Sequence, residues 1–124
     1  MTAIRKLDVE AAFATFDETW TPKIAAEVND AQVKLVKLEG DFVWHSHEHE
    51  DELFLVHRGR LRIELRNGEV ELGPGEMVVI PRGVEHRPDA GDGCEVILVE
   101  PASTVNTGEV REERTALELD RLEP

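Results

Sequence analysis

The stretch Gly40-Asp41-Phe42-Val43-Trp44-His45-Ser46-His47-Glu48-His49-Glu50-Asp51-Glu52, running on through Leu53-Phe54-Leu55-Val56 to His57-Arg58-Gly59, decides how the rest of this chain is read. Side chains alternate along an extended strand, so His45 and His47 are expected on one side of it. His49 shares their parity, so a His47/His49 pair is also conceivable from alternation alone. Beyond the polar turn, Glu52, Phe54 and Val56 share a face, which turns one carboxylate inward beside two apolar side chains and leaves Asp51 pointing away. Two imidazoles and a carboxylate that converge can hold one divalent cation. Such donors suit Fe, Mn, Ni, Zn or Cu, and they offer too few oxygens for Ca. The remaining acids, Glu48, Glu50 and Asp51, read as a solvated loop whose field favours cation entry.

A second stretch, Gly75-Glu76-Met77-Val78-Val79-Ile80-Pro81-Arg82-Gly83-Val84-Glu85-His86, carries another histidine far away in sequence. Taken together, the two stretches resemble the paired motifs of the cupin superfamily. In the first, His45-Ser46-His47, Glu52 and Gly59 fit the spacing, and Gly40 stands one residue closer than the pattern asks. In the second, Gly75, Pro81, Gly83 and His86 fall in register, and Ala90 occupies the position of the terminal Asn. The resemblance covers roughly residues 33–101 and is to the small single-domain bacterial cupins. It implies an all-β double-stranded β-helix, or jelly-roll barrel, with a metal inside. The implied metal ligands are His45, His47, Glu52 and His86, and the motif spacing prefers His45/His47 over His47/His49, leaving His49 near the barrel mouth.

Outward from these motifs the chain reads as short strands. Turn signals recur about every ten residues, at Asn29-Asp30, Arg58-Gly59, Asn67-Gly68, Gly73-Pro74-Gly75, Arg82-Gly83 and Gly91-Asp92-Gly93. Leu61-Arg62-Ile63-Glu64-Leu65 and Val70-Glu71-Leu72 alternate cleanly and form a hairpin, with Asn67-Gly68 expected to supply positive φ angles. Leu53–Val56 and Met77–Ile80 are apolar on both faces, so a second layer or another subunit must cover them. The phase of apolar residues changes along 33–38. If Val36 and Leu38 face inward, Lys34 does too, as a candidate substrate anchor. A short helix is expected within 7–16, capped by Asp8.

Other residues carry plainer expectations. Trp44 and Phe42 lie opposite His45 and suit interlayer packing, and Trp20 suits an anchor for the N-terminal arm. Arg58, Arg60 and Arg62 suit an outer face, and His57 an exposed strand end. Cys94, within the apolar run 94–99, reads as a buried structural thiol. The segment after Pro101, with its Arg111-Glu112-Glu113-Arg114 charge run, reads as solvated, with a closing strand around 115–119 as the alternative.

The chain has 124 residues, one domain's worth, with its motif-bearing core at about 33–101. With 27 acidic against 14 basic residues, its net charge of −13 disfavours nucleic acid and anionic membrane surfaces as partners. The apolar fraction of 40% suits a folded core. A single cysteine excludes an internal disulfide, and charges interrupt the apolar residues between Met1 and Phe16, so the expectation is a reduced, cytoplasmic protein.

These readings support three functions. One is a metal-dependent enzyme on a small organic substrate, of dioxygenase, lyase or isomerase type. Another is a metal-bound module that binds or senses a small ligand without catalysis, favoured by the shortage of general bases. A third is a sugar-phosphate isomerase-like enzyme, which would need phosphate-binding cations. Strands apolar on both faces in so short a chain further imply a homodimer.

Overall fold

The computed structural model describes residues 4–123; Met1–Ala3 and Pro124, the ends of the expected 1–124 span and of the N-terminal reading, lie outside the described residues. The elements are α1 (Val9–Phe13), β1 (Lys23–Val28), β2 (Ala31–Leu38), β3 (Glu52–Gly59), β4 (Leu61–Leu65), β5 (Gly68–Leu72), β6 (Met77–Ile80), β7 (His86–Asp89) and β8 (Cys94–Pro101). They form an antiparallel five-stranded sheet in the order β1-β2-β8-β3-β6 and a three-stranded sheet in the order β5-β4-β7. This is the all-β architecture expected, with one short helix. Among the described residues no helix is long and apolar enough to cross a membrane.

Alternation builds the core. Glu52, Phe54 and Val56 of β3 point inward, as do Cys94, Val96, Leu98 and Glu100 of β8. Leu61 and Ile63 meet them from the smaller sheet, at 1% and 0% exposure. Burying each such side chain contributes roughly 1.5–3 kcal/mol relative to exposure. The phase change along β2 has a simple cause. Its pairing with β8 is regular, Lys34, Val36 and Leu38 face inward, and outward-facing Leu35 is buried under Ala12, Phe13 and Phe16 of the N-terminal segment. The helix is held at its start by Asp8, whose Oδ1 accepts from Ala11 N at 2.8 Å.

The β4–β5 turn departs from expectation. Leu61 pairs with Leu72 and Ile63 with Val70, which centres the hairpin between Arg66 and Asn67, one residue earlier than expected. Gly68 already lies in β5, and neither Asn67 nor Gly68 has a positive φ. Register set by the apolar pairs overrode the local turn signal.

The segment after Pro101 is also not a solvated tail. Thr104 and Thr107 are buried, Asn106 donates to Trp20 O and Arg114 O, and the Arg114 guanidinium lies over the rings of Trp20 and Phe42. Residues 115–119 form no strand; among the described residues this segment reaches a sheet through an isolated bridge between Arg121 and Ile24. The charge run belongs to a strap closing one end of the barrel. His57 likewise is half-buried, stacked on Phe13 at 5.3 Å and 2.9 Å from Glu10 Oε2.

Candidate metal centre

His45, His47, Glu52 and His86 converge inside the barrel, with one potential ligand atom from each lying within 4.8 Å of all the others. Each is nearly solvent-free, at 5%, 4%, 4% and 0% exposure. Glu52 opens β3 on its inward face, and His86 opens β7. The two other histidines come from residues 41–47, which are not the continuous strand that the parity argument assumed. Among the described residues, that segment joins the sheets' ladders through isolated bridges of Asp41 to Asp89 and His45 to His86. Reciprocal backbone bonds, His45 N to His86 O at 3.1 Å and His86 N to His45 O at 2.9 Å, fix one histidine against the other. The His47 carbonyl accepts from Gly83 N at 2.8 Å, tying both motifs together.

The donor chemistry fits a cation. Nδ1 of His45 and of His86 each lie 2.9 Å from a backbone carbonyl, Val43 O and Val84 O. A carbonyl only accepts, so the proton sits on Nδ1 and the Nε2 lone pair is left for a metal. His47 Nε2, His86 Nε2 and Glu52 Oε1 are buried without any hydrogen-bond partner. They face one another, with Glu52 Oε1 at 3.4 Å from His47 Nε2 and 3.5 Å from His86 Nε2. Burial, reinforced by the neighbouring His86, pushes the His45 imidazole down to about 4, which keeps it neutral and ligand-competent. Burial opposes ionisation of Glu52, but the adjacent Glu100 carboxyl and the His47 and His86 imidazoles outweigh it and hold this carboxyl well below its usual range.

One neighbour emerges that sequence reading did not assign. Glu100 is 3% exposed, and its pKa is driven well above the ordinary value by burial and by the adjacent Glu52. Its Oε2 receives Lys34 Nζ at 2.7 Å. Lys34 therefore does face inward, but its charge is consumed inside the wall. A cavity of about 40 Å³ adjoins His45, Glu52 and Glu100, with Trp20, Phe42, Phe54 and Leu98 among its walls. Phe42 stacks on Trp20 at 4.4 Å and meets His45 edge-on, so it lies beside the site rather than opposite it. Trp20 holds a positive φ of 60°, a rare conformation for a bulky residue, fixed by its amide to Lys37 O and its indole Nε1 to Glu39 O. Trp44 is elsewhere, with Arg66 stacked over its ring at 3.9 Å.

The remaining acids and the fourth candidate histidine stay outside. The His49 side chain is 80% exposed and Asp51 is turned to Arg82. The Cys94 thiol is buried and pushed up to about 12 by burial and by Glu95, which makes it a poor nucleophile.

A two-sheet β-barrel enclosing a 3-His/1-Glu cluster that could hold a metal ion defines the class of this protein. A family model described as Cupin domain matches residues 33–100, more than half of the sequence, and the chain belongs to that family. An uncharacterized Bacillus subtilis protein, YdbB, is 40% identical over 63 residues, which span 50% of this chain and 56% of that one. The match thus covers little more than half of that relative's length. Among solved structures, a cupin-2 domain containing protein from Shewanella frigidimarina is 46% identical with a TM-score of 0.76, over 77% of this chain and 93% of that one. A protein from Neisseria meningitidis is 31% identical with a TM-score of 0.72, over 79% of this chain and 100% of that one.

Proposed function

We propose that this cupin binds one divalent transition metal, Fe, Mn, Ni or Zn, through His45, His47, Glu52 and His86, and acts as a metal-dependent enzyme on a small organic substrate. The observation that carries the reading is the set of three buried, partnerless donor atoms, His47 Nε2, His86 Nε2 and Glu52 Oε1, facing one another. Leaving such groups unsatisfied costs roughly 1–3 kcal/mol each, and a cation removes that cost. When bound, the metal supplies a Lewis acid and, as Fe, a redox centre, which is the chemistry of a dioxygenase, lyase or isomerase type.

The chain's own residues set what can approach. Trp20, Phe42, Phe54 and Leu98 give the cavity apolar walls, and Glu100 and Asn106 give it polar atoms. Glu100 is the acid–base group whose lack favoured a purely ligand-binding module, so its place in the cavity weighs toward catalysis. No Lys or Arg lines the cavity, and Lys34 is committed to Glu100. A phosphorylated sugar would find no lining cation besides the metal, and the Arg114 guanidinium over Trp20 and Phe42 is engaged by Glu112 and Asp41 O, which disfavours the isomerase-like reading. The substrate we infer is small, uncharged and partly apolar. In the same reading the chain forms one domain over 1–124, and the free, buried Cys94 suits a reducing cytoplasm.

Elemental analysis of protein purified without chelator tests the metal reading, with His47→Ala beside the wild type. Near-stoichiometric metal in the wild type and its loss in the variant are expected. Equal metal in both would overturn the ligand assignment.

A further inference from the structure

The cavity beside the metal centre is smaller than any organic substrate it would have to admit. Its volume of about 40 Å³ holds roughly three waters. Sites that enclose organic ligands run to ~300–1,000 Å³. An organic molecule therefore reaches the cluster only when part of the wall moves, and most of the wall is fixed. The majority of its lining residues sit within β2, β3, β7 and β8. Phe42 donates its amide to Pro88 O at 2.9 Å, between the bridges at Asp41 and His45. Pro22 is a ring closed on its own backbone. Asn106 has its side-chain amide engaged with Trp20 O, Arg114 O and Ala116 N. That leaves Trp20.

Trp20 is the largest side chain in the wall, and it stands on a non-strand stretch between α1 and β1. Its indole has one N–H, which donates to Glu39 O at 3.0 Å. The ring stacks on Phe42 at 4.4 Å, 4° from parallel, and Phe42 in turn meets His45 edge-on. The φ of 60° at Trp20 is strained for so bulky a residue, and such strain persists only where the surroundings hold it. Part of that hold comes from the strap. The Arg114 guanidinium lies 5.7 Å from the indole and 4.7 Å from the Phe42 ring, and is itself fixed by Glu112 and Asp41 O.

Given the metal-dependent enzyme already proposed, on which this step rests, we infer that Trp20 is the gate of the cavity and the residue that sets the size of the molecule admitted, with Arg114 of the strap as its latch. Rotation of the indole about its own side-chain bonds gives up one hydrogen bond and the stack, and leaves every strand in place. A ligand that enters then meets the face of Phe42 where the indole lay. A flat apolar group recovers the stacking that Trp20 gives up, whereas a saturated polar molecule does not. The gate therefore selects planar, apolar or aromatic molecules for the metal.

The experiment uses the full chain loaded with Co²⁺, whose visible spectrum reports molecules that join the metal. Cobalt content is measured first, and a wild type that takes up none overturns the metal reading and the gate with it. With cobalt bound, azide, a short rod, and imidazole, a flat ring, are mixed in by stopped flow. The azide rate is expected to rise linearly with concentration. The imidazole rate should reach a plateau in the wild type, set by opening of the gate. In Trp20→Gly the plateau should disappear, because glycine adopts a φ of 60° freely and leaves no plug. If circular dichroism shows that this variant does not fold, Arg114→Met takes its place; it keeps Trp20, removes the latch and should raise the plateau about fivefold. In Zn²⁺-loaded Trp44→Phe, Trp20 is the one tryptophan left, and its emission should shift to the red with imidazole and not with azide. Imidazole rates that match between wild type and variant overturn the gate and leave the metal reading standing. So does imidazole binding that leaves the Trp20 emission unchanged, and an azide rate with the same plateau overturns the selection by size.

Discussion

Glu52 of β3 and Glu100 of β8 stand across from each other inside the barrel, one step beyond the Leu53–Val99 pair. Two carboxylates directly opposite on one sheet face repel, and here both are nearly solvent-free. The arrangement persists because each has a different counterpart: Lys34 takes Glu100 at 2.7 Å, and the histidine cluster takes Glu52. Removing Lys34 leaves the Glu100 carboxyl buried without its counterpart; burial and Glu52 already favour its protonated form, so the loss is that of one charge-assisted hydrogen bond, about 1–3 kcal/mol. Lys34→Met is therefore expected to lower unfolding stability by about that amount. Lys34→Met/Glu100→Gln should recover most of the loss, because neither charge remains. Denaturant titration of the two variants and Glu100→Gln closes the cycle; additive losses would show that the pair is not coupled.

Metal binding should itself appear as stability. A ligand that binds only the folded state at a hundred times its Kd adds about 2.7 kcal/mol. Thermal unfolding of chelator-treated protein with and without Zn²⁺ should give a higher Tm with metal. In His86→Ala, which keeps the β7 strand but removes one donor, the Zn²⁺-dependent rise should vanish.

The motifs were legible because they carry position in their spacing: His45, His47, Glu52 and His86 sit in the cluster, and Glu52 faces inward as alternation required. Glu100 was not legible as a neighbour of Glu52, since nothing local pairs residues 52 and 100 until the β3–β8 register is known. The alternation of Cys94, Val96 and Leu98 was the available signal that Glu100 also faces inward. Phe42 was misplaced because alternation was applied to a segment held by isolated bridges rather than a strand. The strap after Pro101 was read from its charge, whereas its place is set by Thr104, Asn106 and Thr107, which bury few apolar atoms and so leave no hydrophobic pattern.

The metal-free protein should weaken in acid. Burial lowers the His45 pKa from 6.5 to about 4, so the unfolded chain takes up this proton before the folded one does. Stability conferred by neutral His45 is complete above 6.5 and is lost as pH falls toward 4; a shift of this size corresponds to about 3 kcal/mol. The depressed Glu52 carboxyl acts in the same direction, its contribution fading at lower pH still. Unfolding of chelator-treated protein, followed from pH 6.5 down to 4, should show the decline, and His45→Gln should flatten it. An unchanged slope in the variant would assign the acid sensitivity to other groups.

Gly108 links the strap to the metal centre. Its φ is +62°, and a Cβ there would run into the carbonyl oxygen of Ser46, the residue between His45 and His47. That obstacle is backbone, so a substitution must either displace residues 45–47 or lift the strap. Gly108→Ala is expected to cost about 1–3 kcal/mol from the strained backbone alone. It should also weaken metal retention, because both histidines hang from the displaced peptide. Gly75 provides the control: its φ is +82°, yet a Cβ there meets nothing within 4 Å. Gly75→Ala should therefore lose stability to a similar degree while keeping its metal. Equilibrium dialysis against a chelator separates the two effects, and equal metal retention in both variants would sink the coupling between strap and site.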